Sequence, residues 1–148
     1  MGIIVQYAIQ RKKAMEFVVK TRSKKVAHFL NKIVPHMIDE LGLTNSRKFL
    51  MIEVCKLKGD KGLTTPLPGL DSIVVALSPA KWEEMGVTLA HEMVHVRQLC
   101  RGILRAEKGT RVWMGKKYSK RTKYLDMPWE LDAFARQEIV FRKALEKC

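Results

Sequence analysis

The chain has 148 residues, room for one hydrophobic core and little for a second, so residues 1–148 are read as a single domain. A hydrophobic fraction of 47% with no low-complexity tract excludes a disordered chain. Lys and Arg number 28 against 15 Asp and Glu, a formal net charge of +13, and the resulting positive field suits a nucleic acid or other polyanion as well as it suits a merely solvated surface.

Cys55, Cys100 and Cys148 are odd in number, widely spaced and without a Cys-x-x-Cys pair, so neither a disulfide framework nor a thiolate zinc site is indicated. The opening MGIIVQYAIQRKK sets its apolar run before its basic residues, the reverse of a secretory leader. Gly2 is followed by Gln6 where myristoylation wants Ser or Thr. No apolar run approaches the roughly 20 residues needed to cross a bilayer. A cytoplasmic protein with no membrane partner is the expectation.

The first expected element is an amphipathic helix from about Ser23 to Leu41, carried by Val26, Phe29, Leu30, Ile33, Val34, Met37, Ile38 and Leu41 and stopped at Gly42. Pro35 should kink or divide it, giving two helical pieces that share one buried face. His28 and His36 lie here without a partner at metal-binding spacing and read as surface residues. Lys48–Lys58 reads as a strand, followed by a turn-rich connection and a second strand, Ile73–Leu77, pairing with the first. Ser78-Pro79 sets up the next helix, with Ser78 as N-cap, Glu83 and Glu84 near its positive end and Gly102 as its stop. Residues 103–127 read as a loop or β-hairpin with turns at Gly109 and Gly115. A last helix opens at Met127-Pro128-Trp129, with Leu131, Phe134, Ala135, Ile139, Phe141, Ala144 and Leu145 as its apolar side. The class is α+β.

The second helix carries His91-Glu92-Met93-Val94-His95, a His-Glu-x-x-His pattern. Residues four apart stand one turn above each other on a helix, so both imidazoles can converge on one ion. Glu92 lies about 100° around the helix from His91, beside the ion without ligating it. A zinc ion with three protein ligands keeps its fourth position for water and lowers that water's pKa to roughly 7, and Glu92 is placed to accept the proton as a carbonyl is attacked. Leu89, Ala90, Met93, Val94 and Val96 mark the helix as buried, where an unsatisfied His-Glu-His set would be costly.

A third ligand is required. Gln98 and Arg101 stand where the extended motif would place Gly and a third His, which excludes that subclass. The remaining solution is a carboxylate from a later helix, and Glu130, in Trp129-Glu130-Leu131-Asp132-Ala133, is the choice. Asp126, Asp132 and Glu138 compete. Asp126 suits an N-terminal cap and Asp132, two positions from Glu130, points elsewhere on the helix; either can orient a ligand histidine.

His91-Glu92-x-x-His95-x-x-Gln98 followed by Pro128-Trp129-Glu130-x-Asp132-Ala133 resembles the glutamate-ligand zincins, or gluzincins, especially small phage-encoded forms, over roughly Ile73 to Phe141. The resemblance implies a minimal zincin fold, with a small mixed sheet packed on the His-Glu-x-x-His helix and a C-terminal glutamate helix. It further implies an extended substrate lying antiparallel to an edge strand, for which Ile73–Leu77 is the candidate. The implied function is a zinc-dependent metallopeptidase acting on a protein or peptide, with His91, His95 and Glu130 on the metal and Glu92 as base. One departure stands out: several gluzincins place Asp or Asn four residues after the ligand glutamate to steady a zinc histidine, and this chain has Phe134. Asp132 or Asp126 would have to substitute. The oxyanion donor is open among Tyr118, Tyr124 and Arg111. Trp113 and Trp129 read as core packing, and Gln98 as lining the groove or bonding a neighbouring loop.

Lys116-Lys117-Tyr118-Ser119-Lys120-Arg121-Thr122-Lys123 is the densest basic run and precedes the glutamate helix. It can hold a nucleic-acid backbone or an acidic polypeptide. SprT-like zincins, which cleave proteins on DNA, are an analogy for the former. The competing function is therefore a basic nucleic-acid-associated protein with a structural or vestigial zinc site. An intact Glu92 favours the enzyme, because a structural zinc needs no base.

Overall fold

The computed structural model describes the backbone of Ile4–Ala8 and residues 15–148 in full. Of the opening segment read against a secretory leader only Ile4–Ala8 is described, and Gly2 and the rest of that stretch lie outside the described residues. In chain order the elements are β1 (Ile4–Ala8), β2 (Phe17–Thr21), α1 (Lys24–Glu40), β3 (Phe49–Val54), β4 (Gly62–Leu67), β5 (Ser72–Leu77), α2 (Trp82–Cys100), β6 (Leu104–Glu107), β7 (Thr110–Trp113), β8 (Lys116–Tyr118), a 3-10 turn (Tyr124–Asp126) and α3 (Pro128–Glu146).

The class is mixed α+β. Five strands form one sheet in the order β1-β2-β3-β5-β4. β2, β3 and β5 run parallel, while β1 and β4 lie antiparallel on the two flanks. Register places Phe17 beside Leu50 and Leu50 beside Ile73, and one step on Val19 beside Ile52 and Ile52 beside Val75. These side chains share one face and join a single cluster with buried residues of all three helices. Each buried aliphatic contributes about 1.5–3 kcal/mol. No element is expected from the sequence before Ser23, and β1 and β2 are found there. Phe17, Val18 and Val19 are all buried, and a strand covered on both faces shows no alternation to read.

Helix α1 begins where expected, with the Ser23 hydroxyl accepting from the Val26 N–H at 3.2 Å. It is one helix, contrary to the expectation of two, and runs unbroken through Pro35. Proline costs the helix its own N–H bond, but Leu30, Ile33 and Val34 before and around it and Met37 and Ile38 after it bury one continuous stripe that holds both halves in line.

The turn-rich connection contains an unexpected strand, β4, which pairs antiparallel with β5. The expected pairing of β3 with β5 is present and parallel, because β4 takes the outer side of β5. Ile73–Leu77 is thus interior, and the strand at the sheet edge is β4. Ser78 does not cap α2. Its hydroxyl accepts from the Leu57 N–H at 3.1 Å and donates to the Asp60 carbonyl at 2.9 Å, tying two loops together, and α2 starts after Lys81 without a side-chain cap. Residues 103–127 form a three-stranded meander with two-residue turns at Lys108-Gly109 and Met114-Gly115, all four with positive φ, the conformation that tight hairpins require.

Helix α3 starts with Pro128 in its first turn, as expected. Its buried side matches the expected one only at Phe141 and Ala144. Leu131, Phe134, Ile139 and Leu145 are exposed, while Trp129, Ala133, Val140, Phe141 and Ala144 are buried. Gly86 on α2 makes this packing possible, since a Cβ there would overlap the ring of Phe141. Among the described residues no helix is long and apolar enough to cross a membrane, and the three cysteines are free thiols.

Candidate metal centre

Helix α2 presents His91, Glu92, His95 and Gln98 toward α3 and β4, and all four are more than nine-tenths buried. His91, Glu92 and His95 each place one donor atom within 4.8 Å of the others, a buried group that could hold a metal ion. Glu130 belongs to the same place. Its Oε1 lies 2.9 Å from His91 Nε2 and 3.2 Å from His95 Nε2, so the structure brings the two expected ligand histidines and the expected glutamate to one point. Of the two carboxylates near the imidazoles, Glu130 is the one shared by both rings, whereas Glu92 Oε1 is engaged by the Thr64 hydroxyl at 2.7 Å.

The distal ring nitrogens decide what that point wants. Gln98 donates its amide N–H groups to the Trp129 carbonyl at 3.0 Å and to Asp132 Oδ2 at 2.9 Å. Both partners are pure acceptors, which leaves Gln98 Oε1 facing His95 Nδ1 at 2.8 Å. Nδ1 must therefore carry the hydrogen, and in the neutral ring Nε2 is a lone pair. Gln137 Oε1 stands 2.8 Å from His91 Nδ1. The His95 lone pair, His91 Nε2 and a carboxylate oxygen meet at separations close to the roughly 3.3 Å edge of a tetrahedron whose ligand bonds are about 2.0–2.1 Å. Acceptors alone repel. The site calls for a cation, either a proton or a metal.

The electrostatics agree. Burial works against charge on Glu130, yet its bonds to His91 and His95 hold its carboxyl well below the usual range. Burial also opposes charge on His95, and Glu130 outweighs it, so its pKa is raised. Burial pushes Glu92 up against the pull of Thr64 and the two histidines. Tyr124 is pushed up to about 12, by burial first and then by the Glu130 charge, so its hydroxyl, 3.1 Å from Glu130 Oε1, remains a donor.

The partners of the histidines are not those expected. Asp132 reaches His95 only through Gln98 and is clamped by Arg136 at 2.8 Å. Asp126 and Glu138 are exposed and take no part. Phe134 packs its ring on His91, centroids 4.8 Å apart, and Gln137, one turn further, supplies the bond to His91. Gln137 escaped the sequence reading, although it lies seven residues, two turns, after Glu130 and so on the same stripe. Tyr118 packs edge-on against Trp129 at 5.4 Å, which turns it to a structural use. His28 is exposed and His36 half-buried on α1, away from the site.

The centre opens on two clefts. One, of about 610 Å³, is lined by Val87, Thr88, Phe134 and Gln137 with Asp60, Glu83 and Glu84 at its rim; the other, of about 220 Å³, is lined by Thr64, Pro66, Leu104, Arg111 and Trp129. His91, Glu92 and Tyr124 face both, and β4 runs beside them. Gly62 lets β4 approach, since a Cβ there would sit 2.8 Å from Thr88 Cγ2 and 2.9 Å from Glu92 Cγ. No family model, curated protein or solved structure matches the chain.

Proposed function

We propose that the protein is a zinc-dependent metallopeptidase of minimal zincin fold, cleaving peptide bonds in a protein or peptide held along β4. The observation that carries this reading is the convergence of the His91 and His95 Nε2 atoms and the Glu130 carboxylate beside a buried carboxylate, Glu92, that Thr64 holds apart from them. His91, His95 and Glu130 would hold the ion, and a donor set of two imidazole nitrogens and one carboxylate oxygen suits zinc. The ion when bound supplies Lewis-acid chemistry, polarising a carbonyl and acidifying a water.

The remaining work falls to the chain. Glu92 accepts the proton of the attacking water and returns it to the leaving amine, and its burial brings its basicity closer to neutral pH. Thr64 fixes the carboxylate in position. Tyr124 is the assigned donor to the developing oxyanion, because its hydroxyl is at the centre and remains protonated.

The substrate strand belongs on β4, replacing Ile73–Leu77. The Ser78 N–H bonds to the Lys61 carbonyl at 2.9 Å. By alternation Leu63 and Thr65 then face β5, and Gly62 and Thr64 present their N–H and C=O groups to the open edge. Pro66 falls on the open side, where its missing N–H breaks no ladder bond.

The test is metal analysis of purified protein, followed by cleavage of an unfolded casein-like substrate by wild type and Glu92→Gln. Zinc at one equivalent with cleavage by wild type alone is the expected result. Equal cleavage by both proteins removes the reading.

A further inference from the structure

From Arg101 to Leu125 the chain carries nine Lys and Arg against a single acidic residue, Glu107. Elsewhere five cations pair with carboxylates: Lys48 with Asp71, Lys61 with Glu84, Arg136 with Asp132, Lys143 with Glu40, Lys147 with Asp39. In the meander the one ion pair among the described residues is Arg105 with Glu107, at 3.6 Å. A surplus of eight charges is concentrated in one sixth of the chain and left unneutralised.

Their placement separates possible partners. Pairing sets Arg111 opposite Tyr118 and Trp113 opposite Lys116 on one face of the meander, and Val112 opposite Lys117 on the other. Exposed cations therefore project from both faces, and Lys108, Lys120, Arg121 and Lys123 continue the charge through the turn and the following segment. At the tip, Met114 is 76% exposed between these cations. A flat acidic protein surface would engage one face only. A duplex groove, flanked by phosphates on both walls and floored by base edges, accommodates the two-stranded β7–β8 hairpin, with cations on both faces and Met114 at its tip.

We infer that the β6–β8 meander is a docking ribbon for a nucleic-acid duplex, held by its phosphates. Arg111 belongs both to the ribbon and to the smaller cleft beside the metal centre, so a bound duplex would lie at one end of the groove. The inference stands whether or not the groove is catalytic.

The test is fluorescence anisotropy with a labelled 20-base-pair DNA of mixed sequence across a salt series. About six phosphate contacts give a slope of log K against log salt near −5, an affinity loss of about 1000-fold between 50 and 200 mM. Neutralising Lys117, Lys120 and Lys123 to Gln should reduce the slope by about 3 and the affinity at 0.1 M salt by about 100-fold or more. A matched triple on α1, Lys24, Lys25 and Lys32 to Gln, removes the same charge and should change affinity by less than about threefold, with both triples melting as wild type does. Absence of binding at 50 mM salt, equal losses from the two triples, or displacement by polyglutamate as effective as by unlabelled duplex would each overturn the inference.

Discussion

Gln98 on α2 holds His95 on the same helix by accepting from its Nδ1 at 2.8 Å, while its amide nitrogen is tied to α3 through Trp129 and Asp132. One neutral amide thus orients a ligand ring and pins it to the helix that carries Glu130. Gln98→Leu leaves the ring free to turn, its buried Nδ1–H unpaired, and the Trp129 carbonyl and Asp132 without their tie to α2. The expected outcome is a 10–100-fold loss of metal affinity with about 1–3 kcal/mol of destabilisation, read by chelator competition and thermal melting.

Gln137 makes the parallel contact to His91, at 2.8 Å, but no bond to another buried group. Gln137→Leu should therefore weaken metal binding on the same scale with a smaller loss of stability. A variant that binds the ion as tightly as wild type would show that the amide positions nothing.

Glu92→Gln should lower kcat by about 10²–10⁴-fold while raising the stability of the metal-free protein. The sign follows from burial, which lifts the Glu92 carboxyl above its ordinary value of 4.5. A carboxyl so raised favours the fold while protonated, and that contribution disappears as pH climbs from about 4.5 through the raised value. Melting in EDTA should separate the two proteins at pH 7 and bring them together near pH 4.

Thr64 donates to the ionised form of Glu92 at 2.7 Å, which pulls its pKa down. Thr64→Val removes that bond, so the acid limb of the kcat/KM profile should move to higher pH. A limb that stays in place, or moves to lower pH, would mean that Glu92 is not the group titrating.

Gly86→Ala forces a methyl group into the ring of Phe141 where α2 and α3 touch. A loss of about 1–3 kcal/mol is expected, and a smaller residue at 141, as in Phe141→Leu, should recover part of it. Additive effects in the double variant, measured by denaturant unfolding, would place the strain elsewhere.

Residues 89–98 state their chemistry in their own spacing, because a helix turns local sequence into fixed geometry: His91 and His95 face one way and Glu92 stands beside them whatever the rest of the chain does. Glu130 was legible for a related reason, as a carboxylate in the first turn of a later helix. The buried side of α3 was not. Apolar residues alone pick Phe141 and Ala144 correctly but also Leu131, Phe134 and Ile139, whereas the inward stripe continues through Glu130, Ala133 and Gln137, because its two polar members find partners on α2 that no property of α3 reveals.

The amino-acid sequence by itself determined the α+β class, the limits of most helices and the three residues of the His-Glu-x-x-His turn, all matters of short-range periodicity. Tertiary structure alone decided that β4 rather than Ile73–Leu77 is the edge beside the centre, that Thr64 restrains Glu92, and that Gln98 and Gln137 set the imidazoles. Each of those contacts joins residues at least 28 apart or rests on a helix–helix or strand–helix approach, and such separations are fixed by how the core packs, not by any local pattern.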